Sequence, residues 1–396
     1  MTHSKFILTF LLGVIIISCA QFEPAALDDS QMLDGPMEGL TAAERQQFIR
    51  GDIAFNDQIF TTENGLGPLF VATSCGSCHL GDGKGHPFTT LTRFGQPDEN
   101  GNLFLNEGGP QLQHRAIPGF IPEQIPAGAT STKLNPPANT GLGLIDAVSD
   151  ADILAWADPN DLNGDGISGT PNWVTLKAYV EPRPNSVPQN GKYIGRFGKK
   201  ASTYNLFQQT AQAYNQDIGV TSTYESKDTY SGVESDPEVS NQTLADVVHY
   251  LKTLKAPVPR SETTEILAGK QLFTTVGCGA CHRQEMKTGT SNIAALVNKT
   301  FSPYTDLLLH DMGAGLDDGY TEGSAKTSEW RTPPLWGLGL SKNSQGGQYY
   351  LLHDGRARSI QEAIVLHGGE GNQSKTNYQS LTDDEKKKLI QFLESL

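Results

Sequence analysis

Two pentapeptides concentrate the reactive side chains of this sequence: Cys75-Gly76-Ser77-Cys78-His79 and Cys278-Gly279-Ala280-Cys281-His282. Two cysteines three positions apart can reach the two vinyl groups along one edge of a porphyrin, and a histidine directly after them is carried beneath the ring as an axial ligand. A disulfide or a redox dithiol needs only the cysteines, and a zinc knuckle needs four ligands converging on one ion. Neither requires histidine at both fifth positions. The pattern predicts two c-type haems, held by Cys75, Cys78, Cys278 and Cys281, with His79 and His282 as proximal metal ligands.

The elements that must position these motifs repeat as well. Leu69-Phe70 and Leu272-Phe273 stand at the same distance before the first cysteine of each motif. Further along, Val247 to Leu254 answers Leu389 to Leu396, both with apolar residues at helical spacing. Thr41 and Glu44 form a capping box for an opening helix, Thr382 and Glu385 form one for the last helix, and Thr243 is a candidate cap between them. Each half thus begins at a haem site and closes on an amphipathic helix. The expected fold is mainly α, with two cytochrome c-like domains arising from an internal duplication. The first domain spans 46–256 and the second 263–396, with a linker at 257–262 where Pro257 and Pro259 block helix continuation. The first is longer by roughly sixty residues, a loop-rich insertion assigned to the glycine- and proline-rich stretch from about Gly95 to Asn190.

At 396 residues the chain can build two ordinary domains, yet only 37% of it is hydrophobic, with 42 glycines and 22 prolines. Haem relieves that shortage, because the porphyrin is itself a large apolar body for short helices to pack on. A formal charge of -14 argues against nucleic acid and favours a basic electron-transfer partner. Residues 6–17 form an apolar run behind Lys5, too short to span a membrane as a mature helix, which reads as a signal peptide over 1–18. Ile16-Ile17-Ser18-Cys19 resembles a lipobox, which places a lipid on Cys19 and the mature protein on the periplasmic side of a bacterial membrane. An ordinary cleavage leaving a stray thiol is the alternative. The acidic stretch 19–45 then reads as a tether.

Asp161, Asn163 and Asp165 supply the oxygens and Gly166 the turn of a calcium loop, but Asn172 occupies the twelfth position where an EF-hand has glutamate. A calcium ion that braces the domain and an Asx-rich turn are both consistent with these residues.

Three further stretches carry a family resemblance: Gly65 to Phe70, Asp306 to Gly313 and Leu352 to Ala357 with Glu362 to His367. In order and spacing they resemble the bacterial di-haem oxidoreductases, peroxidase-like and thiol oxidoreductase-like proteins distantly related to di-haem cytochrome c peroxidases. The resemblance covers most of 46–396. It implies two haem domains packed with their haems close, one haem storing an electron and the other meeting peroxide. In that family a methionine after a Glu-Ala-Val-like helix is the sixth ligand of the C-terminal haem. His367 matches that position here, with Met312 as the competing ligand. For the haem at His79 the family supplies a glutamine and a glutamate after the region of Gly195-Arg196-Phe197. This chain has Gln208, Gln209, Gln212 and Asp217 there and no glutamate at matching distance. Asp217 is the candidate acid-base residue and Gln209 the candidate hydrogen-bond donor, against a reading of both as surface residues of a polar helix. His86 or His114 could instead bind this iron and close it. A tryptophan among Trp156, Trp173, Trp330 and Trp336 is implied between the haems, and Arg331, Arg356 and Arg358 are candidate propionate partners.

These readings predict an exported oxidoreductase. Electrons arrive from a redox partner at the haem of His282, pass to the haem of His79 and reduce a small oxidant such as hydrogen peroxide. The alternative is a non-catalytic electron carrier with both irons six-coordinate.

Overall fold

The structure, a computed structural model, describes residues 28–95 and 102–396. The signal segment and Cys19 lie outside the described residues. The described chain is rich in helices, and its strands form small two-stranded antiparallel sheets. Two helix pairs organise it. In the first, α1 (Ala42–Asp52) packs on the later helix Asn241–Thr253; in the second, Thr264–Thr275 packs on Asp383–Ser395.

The two pairs are built alike. Gly51 lies so close to its partner helix that a methyl group there would run into the Asp246 carbonyl oxygen and the Tyr250 side chain. Gly269 meets the Lys388 carbonyl oxygen and the Phe392 side chain in the same register. Each pair is also closed by a short segment that returns to its end: Gly141 N–H donates to the Leu254 carbonyl at 3.3 Å, and Gly337 N–H to the Leu396 carbonyl at 2.8 Å. Helix starts follow the sequence signals at Thr41 and Thr382, where both capping boxes form. The middle helix differs. Its cap is Ser240, whose hydroxyl accepts from the N–H of Thr243, so Thr243 sits inside the first turn and does not cap it.

The two largest apolar cores among the described residues follow from these pairs. One gathers Phe48, Phe55, Tyr214, Val247 and Tyr250, and it also takes in Leu307 and Leu308 from the later half of the chain. The other gathers Phe273, Tyr304, Leu338, Leu351, Leu389 and Phe392. Ile153, Ile194, Phe197 and Leu206 belong to the first core, so much of the segment between Asp146 and Ser240 is packed structure. Two buried ion pairs fasten it: Arg183 to Asp146 at 2.7 Å and Arg196 to Asp150 at 2.5 Å.

The tether reading fails for the part described. Lys255 pairs with Asp29 at 3.0 Å, Met37 N–H donates to the Thr253 carbonyl at 2.8 Å, and Leu40 is buried against Ile293 and Leu296. Low periodicity concealed two apolar anchors, Met37 and Leu40, which are enough to hold an otherwise polar strip on the body.

Candidate haem sites

Both motifs fold into one tight turn. The N–H of His79 donates to the Cys75 carbonyl at 3.0 Å, and that of His282 to the Cys278 carbonyl at 3.0 Å. This brings the two cysteines and the histidine of each motif to one side of the turn. The imidazoles are then fixed in the same way. His79 Nδ1 lies 3.0 Å from the Pro137 carbonyl oxygen, and His282 Nδ1 lies 3.0 Å from the Tyr304 carbonyl oxygen. A carbonyl only accepts, so each Nδ1 carries the proton and each Nε2 keeps its lone pair. Burial pushes both imidazoles down to about 4, which keeps them neutral. Neutral Nε2 is the form that binds iron.

The thiols do not favour a redox dithiol. Burial pushes Cys75 up to about 12, Cys78 to about 11 and Cys278 to about 12, and all four cysteines of the motifs are free. A thioredoxin-like pair depends on a stabilised thiolate, the opposite condition. A cleft with about 1920 Å³ of empty space, counted out to open solvent, lies against Cys278, Cys281 and His282. It is walled by Leu335, Leu351, Ile360, Ile364 and Trp336, an apolar lining suited to a porphyrin face. The residues present fit haem.

His367 and Met312 both reach this cleft. His367 Nδ1 donates to the Ala363 carbonyl at 2.7 Å, which again leaves Nε2 with a free lone pair. Met312 stands beside it, since a methyl group built on Gly371 would touch both the His367 ring and the Met312 terminal carbon. The two sequence candidates therefore occupy one place.

At the first motif, Asp217 lies on a π-helical turn (Tyr214–Ile218) that extends the helix Leu206–Ala213. Burial pushes its carboxyl up to about 6, opposed by Arg93, and its charge in turn raises both Cys75 and Cys78. Tyr214 is fully buried, with its hydroxyl lacking a partner, and its ring is close enough to Cys75 to be affected by it. Gln209 does not join this group. It lies eight residues before Asp217, about 12 Å along the axis at an α-helical rise, too far to share one small ligand. His86 Nδ1 accepts from Phe88 N–H and its ring packs on Tyr350, while His114 is exposed between Gln113, whose amide donates to the Gln216 carbonyl beside Asp217, and Arg115, whose charge reaches Cys78.

The calcium candidates close on themselves. Asp161 accepts from Gly166 N–H at 3.1 Å, Asn163 from Asp165 N–H at 2.9 Å and Asp165 from Ile167 N–H at 2.9 Å, so the loop forms as Asx turns. Its attachment to the rest of the molecule is Ser168, whose hydroxyl donates to Glu370 at 2.6 Å.

Sequence reasoning missed the group around His310. Its Nε2 is 2.8 Å from Asp306 and its Nδ1 2.6 Å from Glu370, with the Cys281 sulfur at 3.5 Å. Burial opposes the charge, but these hydrogen bonds override it and push His310 up to about 12. Cys281, Asp306 and His310 form the one metal-like cluster among the described residues, yet an imidazolium with both nitrogens donating has no lone pair to offer. The group instead clamps the turn after His367 onto the second motif. Asp306-Leu307-Leu308-Leu309-His310 was legible as a motif, but nothing in it names Glu370 as the third member.

Among the tryptophans, Trp330 is buried, stacked on His353 at 3.7 Å with its indole N–H bound to the Leu316 carbonyl. Trp156 packs under Arg283, and Trp173 lies on a short strand paired with Ile194. Trp336 lines the cleft and touches Gly141 from the first half and Phe301 from the second. Arg331 reaches the same cleft, whereas Arg356 is taken by Asp354 and Arg358 lies over Tyr350.

A family model described as "Di-haem oxidoreductase, putative peroxidase" matches residues 132–396. The chain belongs to this family of di-haem oxidoreductases, and haem is its cofactor. The matched stretch contains the second motif and stops short of the first. No curated protein matches the chain. Among solved structures, the chain is similar to a hydrazine synthase of Kuenenia stuttgartiensis (15% identity, 95% of this chain and 96% of that one, TM-score 0.39). It is also similar to a MauG-like protein associated with microbial copper homeostasis (14%, 95% and 95%, TM-score 0.41). A third is the diheme peroxidase BthA from Burkholderia thailandensis (12%, 94% and 89%, TM-score 0.42).

Proposed function

We propose that this protein is an exported c-type di-haem peroxidase, lipid-anchored through Cys19, that takes electrons at the haem of His282 and reduces hydrogen peroxide at the haem of His79. What carries the reading is an asymmetry. His367 and Met312 both reach the cleft at His282, whereas the site of His79 has Asp217, a carboxyl raised to about 6, and the candidate closing histidine His86 has its Nδ1 taken by Phe88 N–H. One site is suited to holding an electron and the other to meeting a substrate.

Bound haem supplies iron that holds the oxidant and passes it electrons. The protein residues then have four tasks. His79 and His282 each present Nε2, held in that tautomer by Pro137 and Tyr304. Asp217, ionised, takes the proton from the near oxygen of peroxide and returns it to the leaving oxygen. Trp336, between the two halves, offers an aromatic path from one site to the other. His367 keeps solvent and substrate from the electron-storing site. Each turnover consumes one peroxide, two protons and two electrons from an external donor, and yields two waters.

The matching helix pairs support an origin by duplication. The deciding experiment titrates purified di-haem protein with cyanide and with peroxide while recording visible spectra. One reactive high-spin ferric haem supports catalysis. Two unreactive low-spin haems would make the protein an electron carrier.

A further inference from the structure

Buried and half-buried cations in this chain are ordinarily paired. Arg93 meets Glu322 at 2.7 Å, Arg183 meets Asp146, Arg196 meets Asp150, and Lys200 meets Asp318 at 3.3 Å together with three backbone carbonyls. Lys84, Lys199 and Arg331 break that habit. They come from separate segments, the turn after the first motif, the turn after Phe197 and the strand Glu329–Arg331, and all three line the haem cleft. Among the described residues none of the three has a carboxylate within ion-pair distance, and neither lysine ammonium has a hydrogen-bond partner. Arg331 engages only the Gly198 carbonyl through Nε and the Thr332 carbonyl through Nη1.

Their proximity is felt. Burial, then Lys84 and Arg331, push Lys199 down to about 7; burial pushes Lys84 down to about 8 and Arg331 to about 10. Three like charges gathered in a recess are costly unless an anion offsets them. A porphyrin attached through Cys278 and Cys281 has its thioether edge fixed there, so its two propionates must point into the rest of the cleft, where these side chains are. Carboxylates accept charge-assisted hydrogen bonds from both lysine and arginine.

We propose that Lys84, Lys199 and Arg331 form the propionate-binding site of the haem held by Cys278 and Cys281, and that their surplus positive charge raises its reduction potential. Three cations against two propionates leave one charge over, which favours the reduced iron. Lys199 is also close enough to lower His79, so the same cluster lies within electrostatic reach of both haem sites. This inference rests on haem occupancy and is independent of peroxide turnover.

The test is potentiometric titration of the di-haem protein without peroxide, comparing wild type with K84M, K199M, R331Q, K199R and, as a control, the exposed Lys133→Gln. Each loss of charge in the cleft is expected to lower the reduction equilibrium constant about tenfold, about 59 mV for a one-electron couple. K199R and the control should retain the wild-type value. Resonance Raman gives a second arm: in the wild type the propionate bending bands should shift in D₂O as hydrogen-bonded carboxylates do, and K199M should alter them. Unchanged midpoints and bands would overturn the inference. So would a wild-type midpoint that responds to added phosphate or acetate and loses the response in K199M, since the cations would then serve a free anion. Absence of any haem band would instead remove the di-haem reading itself.

Discussion

His367 Nδ1 donates to the Ala363 carbonyl across 2.7 Å, one helical turn back along the helix Ile360–Leu366. That bond fixes the ring with Nε2 toward the cleft and makes histidine the better placed of two neighbouring ligands. His367→Met should raise the potential of the haem at His282, because Met/His ligation favours ferrous iron more than bis-histidine does. Met312→Leu should leave it unchanged. A potentiometric titration in which Met312→Leu moves the potential and His367→Met does not would assign the ligand to Met312.

Asp217 gives the reaction a pH signature. Its carboxyl is pushed up to about 6 by burial, and the role proposed for it needs the ionised form. Peroxide kcat/KM should therefore rise with pH and level off above about 6. Asp217→Asn should lower it by about 10²- to 10⁴-fold and erase the inflection, while the visible spectrum stays that of two haems. An unchanged profile in Asp217→Asn would remove this residue from the chemistry.

The helix pairs predict a stability cost at two glycines. Alanine at Gly51 would collide with the Asp246 carbonyl and at Gly269 with the Lys388 carbonyl, both rigid backbone atoms. Each substitution should cost about 1–3 kcal/mol as the helices are forced apart. Thermal melts followed by circular dichroism would read this directly, and wild-type melting in both variants would mean the pairs pack more loosely than described.

Much of this frame could be read before the structure, and for identifiable reasons. Cys-x-x-Cys-His names a cofactor because one ring geometry dictates three residue types, and Thr41-Glu44 names a helix start because both partners lie within four residues. What escaped was non-local. Pro137 and Tyr304 act through carbonyl oxygens, which any residue supplies, so no side chain advertises them. Arg331 was legible as a propionate partner, but Lys84 and Lys199 are ordinary surface-type residues until folding brings them to the same wall. Gln209 looked like a partner for Asp217 because both fall in one short polar stretch, and only helical rise separates them.

The clamp on His310 predicts an alkaline weakness. With its folded pKa raised to about 12, above the unfolded value near 6.5, the imidazolium contributes stability that is complete below pH 6.5 and is lost as pH rises toward 12. Urea midpoints should fall progressively above neutrality. Asp306→Asn should lower stability at pH 7 and flatten that slope. A slope unaltered by Asp306→Asn would place its origin in other groups.

The central claim is two covalently held haems, and mass reads it most directly. Protein matured with a cytochrome c assembly system and analysed intact under denaturing conditions should be heavier than the polypeptide by two haems, and Cys75→Ala/Cys78→Ala should reduce the increment to one. A mass equal to the bare or merely lipidated chain, with no Soret absorbance, would contradict the account.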